Sequence, residues 1–154
     1  MLDSDIVIIK NHLANYCHTV DRETAQDVAM LFQHDATLVP AYDGDYRCSG
    51  REKIKQWYDF YQKNMKNTVT NLRHFIHSEH VVVTGSKARS ICYFTGHFIS
   101  NADKRAYQAV GSYHDCLQKE DNVWLFSERR IEVDFLISSN EVIKEMVPLG
   151  YTDS

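Results

Sequence analysis

Hydrophobic positions along this chain follow two rhythms, and the change from one to the other falls near residue 70. Between residues 5 and 17, apolar side chains return every three or four positions, at Ile6, Ile9, Leu13, Tyr16 and Cys17. That spacing lines one face of a helix. Asp21 then reads as the N-cap of a second helix, with Glu23 in its first turn. Ala25, Val28, Ala29, Leu31 and Phe32 supply its apolar face, and its end is expected near residues 34–35. Residues 37–42 read as a short strand, and Asp43-Gly44 as a hairpin signal returning through Tyr46 and Cys48. Pro40 lacks an N–H and marks that strand as an edge. A third helix over residues 51–63 presents Ile54, Trp57, Tyr58 and Tyr61 on one side.

Beyond residue 70 the period becomes two. Four long strands are predicted over residues 71–84, 87–100, 105–119 and 123–136, with turn residues at Gly85-Ser86, Asn101-Ala102-Asp103-Lys104 and Glu120-Asp121-Asn122. Connections this short force consecutive strands to be antiparallel neighbours. Helices followed by an antiparallel meander give an α+β fold with the helices on one face. Strands longer than usual must twist and coil, so the sheet is expected to curve like a cone around a concave cavity, a favoured place for a ligand. Residues 140–146 are expected to form a short helix, with Val142, Ile143 and Met146 on one side. It would cover the pocket mouth or pack at an interface. The 154 residues contain no repeat or linker and correspond to one domain.

Composition narrows the function classes. A net charge of −4 without a basic patch argues against nucleic acid as a partner. Cys17, Cys48, Cys92 and Cys116 lie far apart and form no CxxC pair, which supports neither a zinc site nor a disulfide framework. The opening residues 1–5 are acidic rather than leader-like, and no apolar run approaches the roughly 18 residues of a membrane span. The expectation is a cytoplasmic protein with reduced thiols and no membrane contact. Nine Tyr, seven Phe and two Trp suit a core and a pocket alike. His74, His77 and His80 cannot form one metal site on a straight strand, where His77 faces away from the other two and those two lie about 20 Å apart.

The stretch Gly111-Ser112-Tyr113-His114-Asp115, followed by Trp124-Leu125-Phe126-Ser127-Glu128-Arg129-Arg130-Ile131, resembles the last strands of the SnoaL-like family. The segment from Asp21-Arg22-Glu23 to Phe32-Gln33-His34-Asp35-Ala36 fits the same family, as does Leu72-Arg73-His74-Phe75-Ile76. The resemblance covers nearly the whole chain. It implies the cone-shaped, nuclear-transport-factor-2-like α+β barrel, a curved antiparallel sheet packed on N-terminal helices. It also implies a homodimer or homotrimer paired through the sheet. Within the family, the chain is similar to scytalone dehydratase and hexachlorocyclohexane dehydrochlorinase, where an Asp–His pair removes a proton during elimination. The resemblance puts Asp21 and His74 in those roles, Tyr42 at the dehydratase's first-strand tyrosine, and His97 near its second histidine. Val20 stands where the dehydratase has a further tyrosine.

The chemistry explains why these residue types would serve. Removing a carbon-bound proton needs a base with a pKa near the operating pH, and histidine ordinarily titrates near 6.5. A carboxylate on the other ring nitrogen selects the tautomer and stabilises the imidazolium. A donor such as Tyr42, Tyr113 or His97 would stabilise developing negative charge, and neither metal nor cofactor is called for. Trp57, Tyr58, Tyr93 and Tyr113 are the candidates to line a pocket for a small hydrophobic organic ligand. Read without the resemblance, Asp21 is an N-cap and His74 a structural histidine. Arg129-Arg130, flanked by Glu128 and Glu132, reads as paired surface charge. The alternative to a lyase or isomerase is a non-catalytic binding or assembly module, like the small subunit of ring-hydroxylating dioxygenases.

Overall fold

The amphipathic pattern at the N-terminus produces a helix longer than its clearest apolar stretch. In the computed structural model, which describes residues 2–44, 46–144 and 146–152, α1 spans Leu2–Arg22. Its buried face is Ile9, Leu13, Tyr16, Cys17 and Val20, at helical spacing throughout. Asp21 therefore sits in the last turn of α1 and does not cap the next helix. That cap is Thr24, which opens α2 (Ala25–Ala29) with a capping box to Asp27. α2 also ends earlier than the sequence pattern predicts. Leu31 and Phe32 continue the helical spacing, but the Phe126 N–H takes the Leu31 carbonyl at 3.0 Å and draws the chain into a strand.

That strand, β1 (Phe32–Pro40), runs parallel to the last strand of the sheet and carries β2 (Cys48–Ser49) on its other side. The predicted all-antiparallel sheet is thus mixed, and β1 is not an edge. Pro40 is tolerated because β2 pairs only with Thr37 and Leu38, so the missing N–H interrupts no ladder there. A 3-10 turn, Ala41–Asp43, takes Tyr42 out of the strand predicted for it. α3 (Arg51–Asn64) follows and buries Ile54, Trp57 and Tyr58.

The four long strands are β3 (Val69–Thr84), β4 (Lys87–Ser100), β5 (Arg105–Glu120) and β6 (Val123–Val142), and the sheet order is β2-β1-β6-β5-β4-β3. β6 runs straight through the start of the predicted C-terminal helix, because Val142 pairs with Arg105; Glu145, also within that prediction, lies outside the described residues. The other edge strand, β3, is bent at Asn71 and Ser78, both at φ 55°, where the register slips. The slip at Ser78 corrects one expectation. His80 joins His77 on the outer face, opposite Ile91 and Tyr93, while His74 alone faces inward.

The core lies between the helices and the concave face, with Leu13 and Tyr16 among Phe94, Tyr113, Leu117 and Phe126. Within it lies a charge the sequence reading placed at the surface. Arg129 is 0% exposed and bonds Asp115 through two nitrogens, at 2.7 and 2.9 Å. Its guanidinium stacks at 4.1–4.2 Å on the rings of Tyr16, Tyr113 and Phe126. Arg130, the next residue, is the surface member and pairs with Glu132 at 2.8 Å. The four cysteines are free, and among the described residues no helix is long and apolar enough to cross a membrane.

Candidate active site

An edge strand exposes backbone N–H groups that no neighbouring strand satisfies. At His74 on β3 the last turn of α1 supplies the acceptor: Asp21 Oδ2 takes the His74 backbone N–H at 3.0 Å. The other carboxylate oxygen, Oδ1, takes the His74 ring at Nδ1 at 2.6 Å. Both side chains are shielded, at 9% exposed for Asp21 and 11% for His74. A two-point grip of this kind fixes the ring plane and places the proton on Nδ1, so the lone pair lies on Nε2. A β-carbon at Gly96 would stand 3.6 Å from both Nε2 and Cδ2 of the ring, so this edge of the imidazole faces a strand position that carries no side chain. The glycine on β4 therefore leaves open space in front of the basic nitrogen.

That space is part of a cavity of about 250 Å³. One wall comes from α1 through Tyr16 and Val20, one turn apart. Another comes from α3 through Trp57, Tyr58 and Tyr61, and the sheet contributes Leu72, Phe94, Tyr113 and Ile131. Tyr42 and Asp43 close it from the 3-10 turn after β1. The Tyr16 and Tyr58 hydroxyls bond each other at 2.5 Å, and the Tyr113 ring stacks on Phe94 with centroids 4.4 Å apart.

These phenols are neutral at pH 7, and burial moves the enclosed ones further from ionisation: Tyr16 is pushed up to about 12, and Tyr58, Tyr61 and Tyr113 move upward as well. At neutral pH the wall is consequently a set of protonated O–H donors in apolar surroundings. His74, Tyr42, Trp57, Tyr58 and Tyr113 thus line one hollow, and Asp21 stands behind His74, bonded to its ring and backbone rather than lining the cavity. Two predicted members lie elsewhere. His97 and Tyr93 occupy the alternate positions of β4 and point to the outer face, where Tyr93 is 59% exposed and His97 packs against Phe75 at 5.2 Å. The period-two pattern put both on one face but did not say which face is concave; the inward residues are Phe94, Gly96 and Phe98.

Tyr16, Asp43 and Gly96 are lining residues that the sequence pattern does not single out. The signal for Tyr16 was present, since it shares a helical face with Val20 and precedes Asp21 by five residues. Asp43 carried only a turn signal, and nothing in the local sequence distinguishes Gly96.

Residues 4–130 match the SnoaL-like domain. Among curated proteins no sequence matches the chain. Solved structures do. A protein provisionally named scytalone dehydratase from Novosphingobium aromaticivorans is 17% identical, with 99% of this chain and 100% of that one covered and a TM-score of 0.75. A hexachlorocyclohexane dehydrochlorinase from Novosphingobium barchaimii is 15% identical over 94% of this chain and 95% of that one, with a TM-score of 0.75. A Mycobacterium tuberculosis protein of unknown function is 24% identical over 84% of this chain and 72% of that one, with a TM-score of 0.72. At these identities the likeness establishes the fold.

Proposed function

The chain belongs to the SnoaL-like family, and on that footing we propose that its cavity binds a small, largely apolar organic molecule and performs a cofactor-independent elimination or isomerisation. The observation that carries this reading is the 2.6 Å contact between Asp21 and the ring of His74 at the wall of an aromatic hollow. Dehydratase and dehydrochlorinase names among proteins of the same fold support the reaction class.

In this reading the substrate places an acidic C–H before His74 Nε2. The imidazole takes the proton, and Asp21 stabilises the imidazolium through Nδ1. The electrons left on carbon form a double bond and expel a halide, or a hydroxyl that leaves as water after accepting a proton from a phenol. In an isomerisation the enolate oxygen accepts a hydrogen bond and the imidazolium returns the proton to another carbon. Tyr113, buried in the wall, and Tyr42, at the exposed turn, are the donors on hand, both neutral phenols at pH 7. His97 takes no part, since it lies on the opposite face of β4.

The test is C–H exchange in D2O, followed by NMR, across a panel of cyclic ketones, β-hydroxy carbonyl compounds and chlorinated rings. Wild-type protein should incorporate deuterium or release product from one class. His74→Gln should reduce that rate by about 10²–10⁴ with the circular dichroism spectrum unchanged. Asp21→Asn should cost a comparable factor through the wrong tautomer. Binding without exchange by wild-type protein would instead identify a non-catalytic ligand-binding module.

A further inference from the structure

Among the described cavity-lining residues there is no lysine or arginine, and the carboxylate among them is Asp43. The nearby guanidinium of Arg129 lies behind Tyr16 and Tyr113 and is neutralised by Asp115. Asp43 ends the 3-10 turn, and its Oδ2 accepts the Tyr46 hydroxyl at 2.7 Å; the Trp57 Nε1–H donates to that hydroxyl's oxygen at 2.7 Å and lies 3.4 Å from Oδ2. This Trp57–Tyr46–Asp43 chain holds the carboxylate through Oδ2 and leaves Oδ1 without a hydrogen bond among the described residues. Beside it stands a group of three rings. Trp57 stacks on Tyr61 with centroids 5.5 Å apart and meets the edge of Tyr42 at 6.2 Å. Aromatic faces carry negative quadrupole density, so a carboxylate set among them favours a cation and disfavours an anion.

We propose that Asp43 and the rings of Tyr42, Trp57 and Tyr61 form a subsite for the ammonium group of an organic amine, whose flat apolar body fills the rest of the cavity. This rests on the reading of the cavity as a ligand site and gives that ligand a chemical class. Asp43 and His74 line the same hollow, so an amine anchored at the first can present a C–H to the second. Carboxylate and phosphate compounds find no counter-charge there. Asp43 is exposed at the mouth, so the preference is screened by salt.

The test compares three probes of one shape, 2-(aminomethyl)naphthalene, 2-(hydroxymethyl)naphthalene and 2-naphthoate, by titration calorimetry at pH 7 and low ionic strength. The ammonium probe should bind about tenfold more tightly than the alcohol, and naphthoate more weakly than both. Asp43→Asn should erase most of that margin while the alcohol's Kd stays unchanged, which also reports an intact fold. Asp43→Lys should reverse the order and favour naphthoate. His74→Ala should leave the order as in wild type, separating this subsite from catalysis. Equal binding of amine and alcohol, or a margin that survives in Asp43→Asn, overturns the subsite and leaves the cavity reading standing. Failure of all three probes to bind overturns both.

Discussion

A β-carbon on Gly111 would stand 1.9 Å from the Glu132 carbonyl oxygen and 2.8 Å from the Phe94 ring. No rotamer relieves a contact with backbone, so β5 and β6 would have to separate. Gly111→Ala is predicted to destabilise the fold by about 3 kcal/mol. Gly96→Ala, whose nearest atoms lie at 3.6 Å on a side chain, should stay within about 1 kcal/mol. Urea denaturation of the two variants checks the contrast, and equal midpoints would refute it. The two glycines lie on neighbouring strands and serve different ends, one the approach of two strands and the other the space before His74. Asp21 and His74 show the same dependence on setting. Asp21 reaches His74 because α1 extends one turn past its densest apolar stretch, which turns a residue that reads as a cap into one that grips an edge strand.

At the scale of elements, His12 ties α1 to the turn before β1. Its Nε2–H donates to the Leu31 carbonyl at 3.1 Å, the same oxygen that accepts the Phe126 N–H. Burial lowers its pKa to about 4, against an ordinary value near 6.5. The folded state therefore holds a neutral ring that the unfolded chain protonates more readily. Stability from this group is complete above pH 6.5, falls as pH drops toward 4, and is level below that. The loss amounts to about 3 kcal/mol. Chemical denaturation from pH 7 to pH 4 should show that slope, and His12→Gln, which keeps the donor, should flatten it. The buried Arg129–Asp115 pair joins β5 to β6 in a different way. Arg129→Met strands the Asp115 carboxylate with the Ser90 hydroxyl, at 3.2 Å, as its remaining side-chain donor among the described residues, and should cost about 3–5 kcal/mol. Adding Asp115→Leu should recover much of that loss, and denaturation of the single and double variants would decide it.

For the whole molecule, the outer face of the sheet carries a band of exposed apolar side chains. Register brings Phe75, Thr95, Val110 and Phe135 into one row and sets Tyr93 and Ile91 beside it. Phe75, Tyr93, Ile91, Phe135 and Ile137 are exposed. A contiguous apolar band of this kind marks an association surface, and we propose that a second copy, or two, of this chain covers it. Light scattering at micromolar concentration should give the mass of two or three chains, and Tyr93→Asp with Phe135→Asp should reduce it to one. A wild-type mass of one chain would reject the interface. Phe94 and Phe126 lie on the other face, in the core, since the parity of each strand is set by which side meets α1.

What the sequence determined by itself was whatever depends on local periodicity and local turns: the order of helices and long strands, the turns of the meander, and the alternation that separates His74 from Phe75 on β3. The family resemblance added the pairing of Asp21 with His74, which no local pattern contains because the two lie far apart along the chain. Only the tertiary structure decided which face of β4 is concave, and so removed Tyr93 and His97 from the cavity. It also withdrew Arg129 from the surface, put Leu31 in a turn rather than a helix, and drew Phe32 into a strand parallel to β6. Each of these follows from a partner distant in sequence (α1 against the sheet, Asp115 beside Arg129, Phe126 against Leu31), and burial against a distant partner overrides the preference of a short segment.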